Sequence, residues 1–175
     1  AAASFKKYLN QFARPKHEID ALFFMADSYR SIGATELSTN AFKQLLEKPT
    51  NFYTEEAAGI ASKVEYDEGN YQKAADYYEI LDNNASYPEN KLKAEIGLMR
   101  CYTFLEELSV AAEYAKKVLA DPLSLDNVKV EAHYVIGKAA LEVNNFDKAM
   151  SEFREVTEQT SSVLGAEAQY SIASI

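Results

Sequence analysis

Apolar residues recur along this chain at helical spacing, and the helical segments themselves recur. Phe5, Tyr8, Leu9 and Phe12 share one face of a first segment, which must stop before Pro15 because that proline disfavours the αR conformation at Arg14. Leu22, Met25, Ala26 and Tyr29 form the inner stripe of a helix expected over 18–31, closed at Gly33 by a left-handed cap. A partner helix over 35–47 is expected to bury Leu37, Ala41, Phe42, Leu45 and Leu46. Further helices are expected over 53–67, 71–83, 89–104, 107–120, 126–142 and 146–159, with a last one starting near Ser162.

Two rulers tie these segments together. Gly69-Asn70-Tyr71-Gln72-Lys73-Ala74 with Tyr78 and Leu81 has a near copy at Asn144-Asn145-Phe146-Asp147-Lys148-Ala149 with Phe153 and Val156. Small residues at Ala1, Ser38, Ala74, Ala111 and Ala149 step by 37, 36, 37 and 38, each with an aromatic or small residue four places on. The first helices repeat on their own ruler, Ala26, Ser62, Met99, Gly137 and Ala173, with steps of 36, 37, 38 and 36. Fixed-period self-similarity marks a repeat array in which no unit buries its apolar face alone. Small residues at such places let paired helices approach closely, while Phe42, Tyr78 and Phe153 fill the space beside them.

The expected organisation is a single solenoid over 1–175. It has the second helix of a truncated repeat at 1–16, full repeats at 17–50, 51–87, 88–124 and 125–161, and a final first helix at 162–175. The first Met is Met25, and both ends fall midway through a repeat, so the expectation is a piece of a longer array. One position breaks the pattern. Glu65 stands where other repeats carry Tyr29 and Tyr102, so either the register slips to Tyr66 or this repeat turns a polar residue inward.

These residues resemble the tetratricopeptide repeat. Leu22, Met25, Ala26 and Tyr29 with Gly33, Ser38 and Phe42, and Ile136 and Gly137 with Phe146, Ala149 and Phe153, match its slots. Pro122 stands at its closing proline and Pro49 one place early. The departures are the absence of Trp, Ala115 in an aromatic slot, and a period of 36–38 against the usual ~34. The longer period, with Ser4-Phe5-Lys6-Lys7-Tyr8-Leu9, is similar to bacterial envelope-type repeat proteins, a resemblance that leans toward the bacterial periplasm or cell envelope as compartment, with the cytoplasm as the alternative. HEAT-like and other α-solenoids are the alternative. The resemblance implies an all-α, right-handed superhelix of antiparallel hairpins.

Composition narrows the chemistry. Six Gly and four Pro in 175 residues supply too few turns for a β-sandwich. A net charge of −9 and a pI near 4.8 argue against nucleic acid or an anionic membrane surface as partner. Cys101, the single cysteine, excludes an internal disulfide and reads as a buried structural thiol. His17 and His133 lie three repeats apart, which excludes a two-histidine metal site within one chain. Asp82-Asn83-Asn84-Ala85-Ser86 begins like a calcium loop but has Tyr87 and Lys93 where Gly and Glu are required. Asn84-Ala85-Ser86 is a glycosylation sequon, relevant only in a secretory pathway. Glu55/Glu56 and Glu106/Glu107 are expected at helix starts, where the dipole favours acids. No enzyme, cofactor or metal is expected.

The resemblance also implies a concave wall formed by the first helices. Its candidates are Asp20, Phe23, Asp27 and Arg30, then Glu56, Lys63, Tyr66 and Asp67, then Lys93, Arg100 and Phe104, then Glu131, Tyr134, Lys138 and Glu142, and last Tyr170. Aromatic residues among mixed charges suit a peptide partner. The carboxylate clamp of chaperone-binding relatives is not matched, since Asp27 and Gly97 stand where it needs other residues. The expected function is a non-catalytic scaffold that binds a peptide or partner-protein segment. The alternatives are a spacer within a longer array, self-association through the solenoid ends, and a recruiting domain for an enzyme elsewhere.

Overall fold

The computed structural model describes residues 1–12 and 15–175; the expectation about Arg14 lies outside them. Among the described residues there are ten helices and no strand. They are α1 (Ala2–Gln11), α2 (Glu18–Ser31), α3 (Thr35–Leu46), α4 (Thr54–Asp67), α5 (Tyr71–Asn84), α6 (Pro88–Phe104), α7 (Leu108–Ala120), α8 (Asp126–Glu142), α9 (Phe146–Gln159) and α10 (Val163–Ser174). The spans expected for α2 to α9 are met to within one residue at either end. Apolar periodicity set them, and Gly, Pro and Asn punctuated them.

The turn inside each hairpin is built the same way. Gly33, Gly69, Glu106 and Asn144 all have positive φ, at 73°, 78°, 61° and 57°. In each case the next residue sends its N–H back five places: Ala34 to Tyr29, Asn70 to Glu65, Glu107 to Tyr102, and Asn145 to Ala140. These are Schellman closures, which satisfy carbonyls the helix end would otherwise leave open. Only two of the four carry the glycine that such a turn favours.

The helices fall into two compact units, Ala1–Ser86 and Tyr87–Ile175. In the first, α1 packs on α2, α2 pairs with α3, α3 packs on α4, and α4 pairs with α5. Leu22, Met25, Ala26, Ala41, Phe42, Leu45 and Ala57 form its core, with Phe5, Leu9 and Phe23 against the edge. Ser38 reaches across the hairpin seam, its hydroxyl donating to the Ala26 carbonyl at 2.8 Å. Leu37, expected inside, is 49% exposed, because it lies one position off the stripe of Ser38, Ala41 and Leu45.

In the second unit α6 pairs with α7, α8 packs on α7 and pairs with α9, and α10 packs on α9. Met99, Ala111, Ala115, Val118, Ala132 and Ile136 are the centre of one core cluster; Ala140, Ala149, Phe153, Val156 and Ala168 belong to another. Ala115 is buried in its aromatic slot, and the ring area comes from Tyr114, stacked on Tyr102 at 6.0 Å. Glu55 and Glu56 do occupy the first turn of α4. Glu106 does not start a helix; it sits in the left-handed turn, and Glu107 is the residue preceding α7.

Candidate functional site

Each unit places eight of the sixteen candidate residues. In the first unit Phe23 projects from α2 onto Tyr53, the residue before α4. The rings stack 4.0 Å apart, and Phe23 also meets Phe24 and Phe42 edge-on. Phe23 is therefore half-buried packing between α2 and α4. Asp20 holds the same junction, accepting from the Tyr53 hydroxyl at 3.1 Å, with His17 Nδ1 3.4 Å away. Burial, and then the Asp20 carboxylate, push the Tyr53 hydroxyl above its ordinary pKa.

Further along α2, Arg30 donates to Asp27 at 2.6 Å and reaches Glu56 on α4 at 3.2 Å. The hydrogen bond that Arg30 donates to the Asp27 carboxylate leads the effects that raise the guanidinium pKa. Lys63 pairs with Asp67 one turn away at 2.7 Å, and Tyr66 turns its ring toward Tyr71 at 5.5 Å.

In the second unit Arg100 on α6 forms a two-pronged bond to Glu131 on α8. Nε lies 2.8 Å from Oε1 and one terminal nitrogen lies 2.7 Å from Oε2. This fork geometry is the strong form of a charged hydrogen bond. Tyr134 donates to Glu167 on α10 at 2.7 Å, and burial, helped by that carboxylate, raises its hydroxyl pKa to about 12. Lys138 lies 6.0 Å above the Tyr134 ring. Phe104 and Tyr170 are 55% and 76% exposed, and Lys93 and Glu142 also face outward. Neighbouring first helices thus meet through Arg30–Glu56 in one unit, and through Arg100–Glu131 and Tyr134–Glu167 in the other. Much of the polar capacity assigned to a partner is spent within the chain.

Three polar features escaped the sequence reading in whole or part. Glu65 is turned inward, 1% exposed, and held by the Lys43 ammonium and by the Asn70 amide at 2.8 Å. Its misfit in the Tyr slot was the available signal. Glu152 is 7% exposed and bound by His133 at 2.6 Å and Lys148 at 2.5 Å. Nothing in the spacing of His133 and Glu152 announced that pair. Tyr53 and Glu167, which receive and fix candidate residues, lie outside the apolar stripes and gave no pattern. Cys101 is fully buried, which raises its thiol to about 12 and leaves it without nucleophilic character.

The arrangement of hairpins has counterparts among solved structures. One is that of YrrB, described as a tetratricopeptide-repeat protein with an unusual peptide-binding site. It matches 99% of this chain and 82% of its own at 21% identity, with a TM-score of 0.65. This chain has the tetratricopeptide-repeat fold. A structure of MamA matches 99% of the chain and 90% of its own at 18% identity and a TM-score of 0.55. Another of MamA matches 91% and 80% at 21% identity and a TM-score of 0.57. No family model and no curated protein matches the sequence. In such a fold the first helices of this chain, α2, α4, α6, α8 and α10, carry all sixteen candidate residues.

Proposed function

We propose that this chain is a non-catalytic protein-interaction module that binds a segment of another protein on the outward face of its first helices. The observation that carries the reading is the Arg100–Glu131 fork. It sets α6 and α8 side by side as a fixed, charged platform, with Phe104 and Lys138 on the same two helices. Fixed hydrogen-bonding groups beside exposed rings suit a peptide, because little side-chain freedom is lost on binding. The peptide-binding site in the description of YrrB supports the class of ligand. A net charge of −9 favours a protein partner over nucleic acid. Among the described residues no helix is long and apolar enough to cross a membrane.

The test is affinity capture with the wild-type chain and with a Phe104→Ala/Lys138→Glu/Tyr170→Ala variant. These positions are chosen over Phe23, whose ring supports the core. A defined partner captured by the wild type and lost by an equally stable variant is the expected result. The same partners on both baits would rule out this face.

A further inference from the structure

The second unit holds a cavity of about 580 Å³ that includes none of the sixteen candidate residues. It opens where the start of α8, the end of α9 and the start of α10 meet. Val130, only 6% exposed, and Leu164 supply its apolar wall. Asp126, Asn127, Gln159 and Ser162 supply its polar wall, and their side chains enter no hydrogen bond or ion pair among the described residues. Thr160 completes the lining with an extended backbone, φ −148° and ψ 141°. Leu125 and Val163 flank it, 68% and 77% exposed.

The walls are held firmly. A Cβ on Gly165 would fall 2.2 Å from the Thr160 carbonyl oxygen, so α10 begins pressed against the preceding turn. The Ser162 N–H donates to the Thr160 hydroxyl at 3.1 Å, pinning the same turn. The lining holds two primary amides, Asn127 and Gln159, and each carries both a donor and an acceptor, as the C=O and N–H of a peptide unit require. The apolar wall suits a short side chain, and the volume lies within the roughly 300–1,000 Å³ of ligand pockets. The only charged group in the lining is the Asp126 carboxylate. Lys129 follows it on α8, and Glu158 precedes Gln159 on α9.

We propose that this cavity binds an extended segment of another protein that carries a short aliphatic side chain next to Lys or Arg. The aliphatic group sits against Val130 and Leu164, the peptide unit pairs with Asn127 and Gln159, and the cation meets Asp126. This rests on the reading of the chain as an interaction module, and adds to it a subsite with its own specificity.

The test pans the 175-residue chain against a phage-displayed random heptapeptide library. Selected peptides are then measured by fluorescence anisotropy against the wild type and three variants of matched melting temperature. Val, Leu or Ile beside Lys or Arg is the expected enrichment. Asp126→Lys is expected to weaken those peptides at least tenfold and to bind versions with Glu in place of the basic residue. Asn127→Ala/Gln159→Ala is expected to weaken them several-fold, and Phe104→Ala/Lys138→Glu/Tyr170→Ala to leave them unchanged. Peptides that ignore Asp126→Lys but are lost on the first-helix variant would overturn the cavity and leave the module standing. A library that yields no binder overturns the cavity as well, and the capture experiment then decides the module separately.

Discussion

A Cβ placed on Gly137 would lie 2.6 Å from Cε1 of Phe153. Gly137 is on α8 and Phe153, fully buried, on α9, so the ring fills the space that a missing side chain leaves in the hairpin seam. Gly→Ala inside a helix ordinarily gains about 1 kcal/mol. Here the ring has nowhere to go, and overpacking costs ~1–3 kcal/mol. Gly137→Ala is therefore expected to lower stability by about 1 kcal/mol in urea denaturation, and Gly137→Leu by more. Adding Phe153→Leu should recover part of the loss, a coupling of at least about 0.5 kcal/mol. A stabilised Gly137→Ala would show that the seam relaxes.

Glu106 stands at φ 61°, in the turn that Gly33 and Gly69 occupy in the other unit. The left-handed conformation costs an L-residue roughly 1–2 kcal/mol, of which glycine's extra freedom in the unfolded chain returns ~0.5–1. Glu106→Gly is thus expected to stabilise the protein by about 0.5–1 kcal/mol. Gly69→Ala should destabilise it by a similar amount. Thermal melts of the two variants check both signs together.

The helices were legible because periodicity and turn residues are local, and each of α2 to α9 has at least one end marked by Gly, Pro or Asn. The Glu106 turn was less so, since the backbone closure of Asn144 and Glu106 is dictated by the packed hairpin and not by the residue present. Leu37 was misjudged for want of a one-position rotation about the α3 axis. The first-helix candidates were readable as a set, but their pairings were not. Arg100–Glu131 and Tyr134–Glu167 join residues 31 and 33 apart, and such contacts depend on how neighbouring helices rotate against each other. The α8–α9–α10 cavity had no sequence signature, because it is lined by helix ends whose meeting is a product of tertiary packing.

Lys43 and Glu65 differ in how far they can escape one another. The Lys43 side chain is 27% exposed and that of Glu65 only 2%. Lys43→Met strands a buried carboxylate, a loss expected at about 3 kcal/mol. Glu65→Leu leaves an ammonium that can turn to water, so its cost should be clearly smaller. The double variant should be more stable than Lys43→Met alone. Equal losses for the two single variants would mean that Glu65 finds water once its partner is gone.

The same carboxylates set an acid limit. Burial pushes both Glu65 and Glu152 up, but their partners more than offset it. For Glu65 these are the hydrogen bonds from Lys43 and Asn70 and the charges of Lys43 and Lys73; for Glu152 they are His133 and Lys148. Both therefore end below the ordinary value of 4.5 in the folded protein. A group depressed on folding contributes its full stability above its unfolded pKa and loses it as pH falls through the folded one. The urea midpoint of the wild type is thus expected to fall below about pH 4.5. Glu65→Gln and Glu152→Gln should each be less stable than wild type at pH 7, with a shallower acid slope, so that the curves converge at low pH. Curves that stay parallel from pH 7 to pH 3 would show that neither carboxylate is depressed in the folded state.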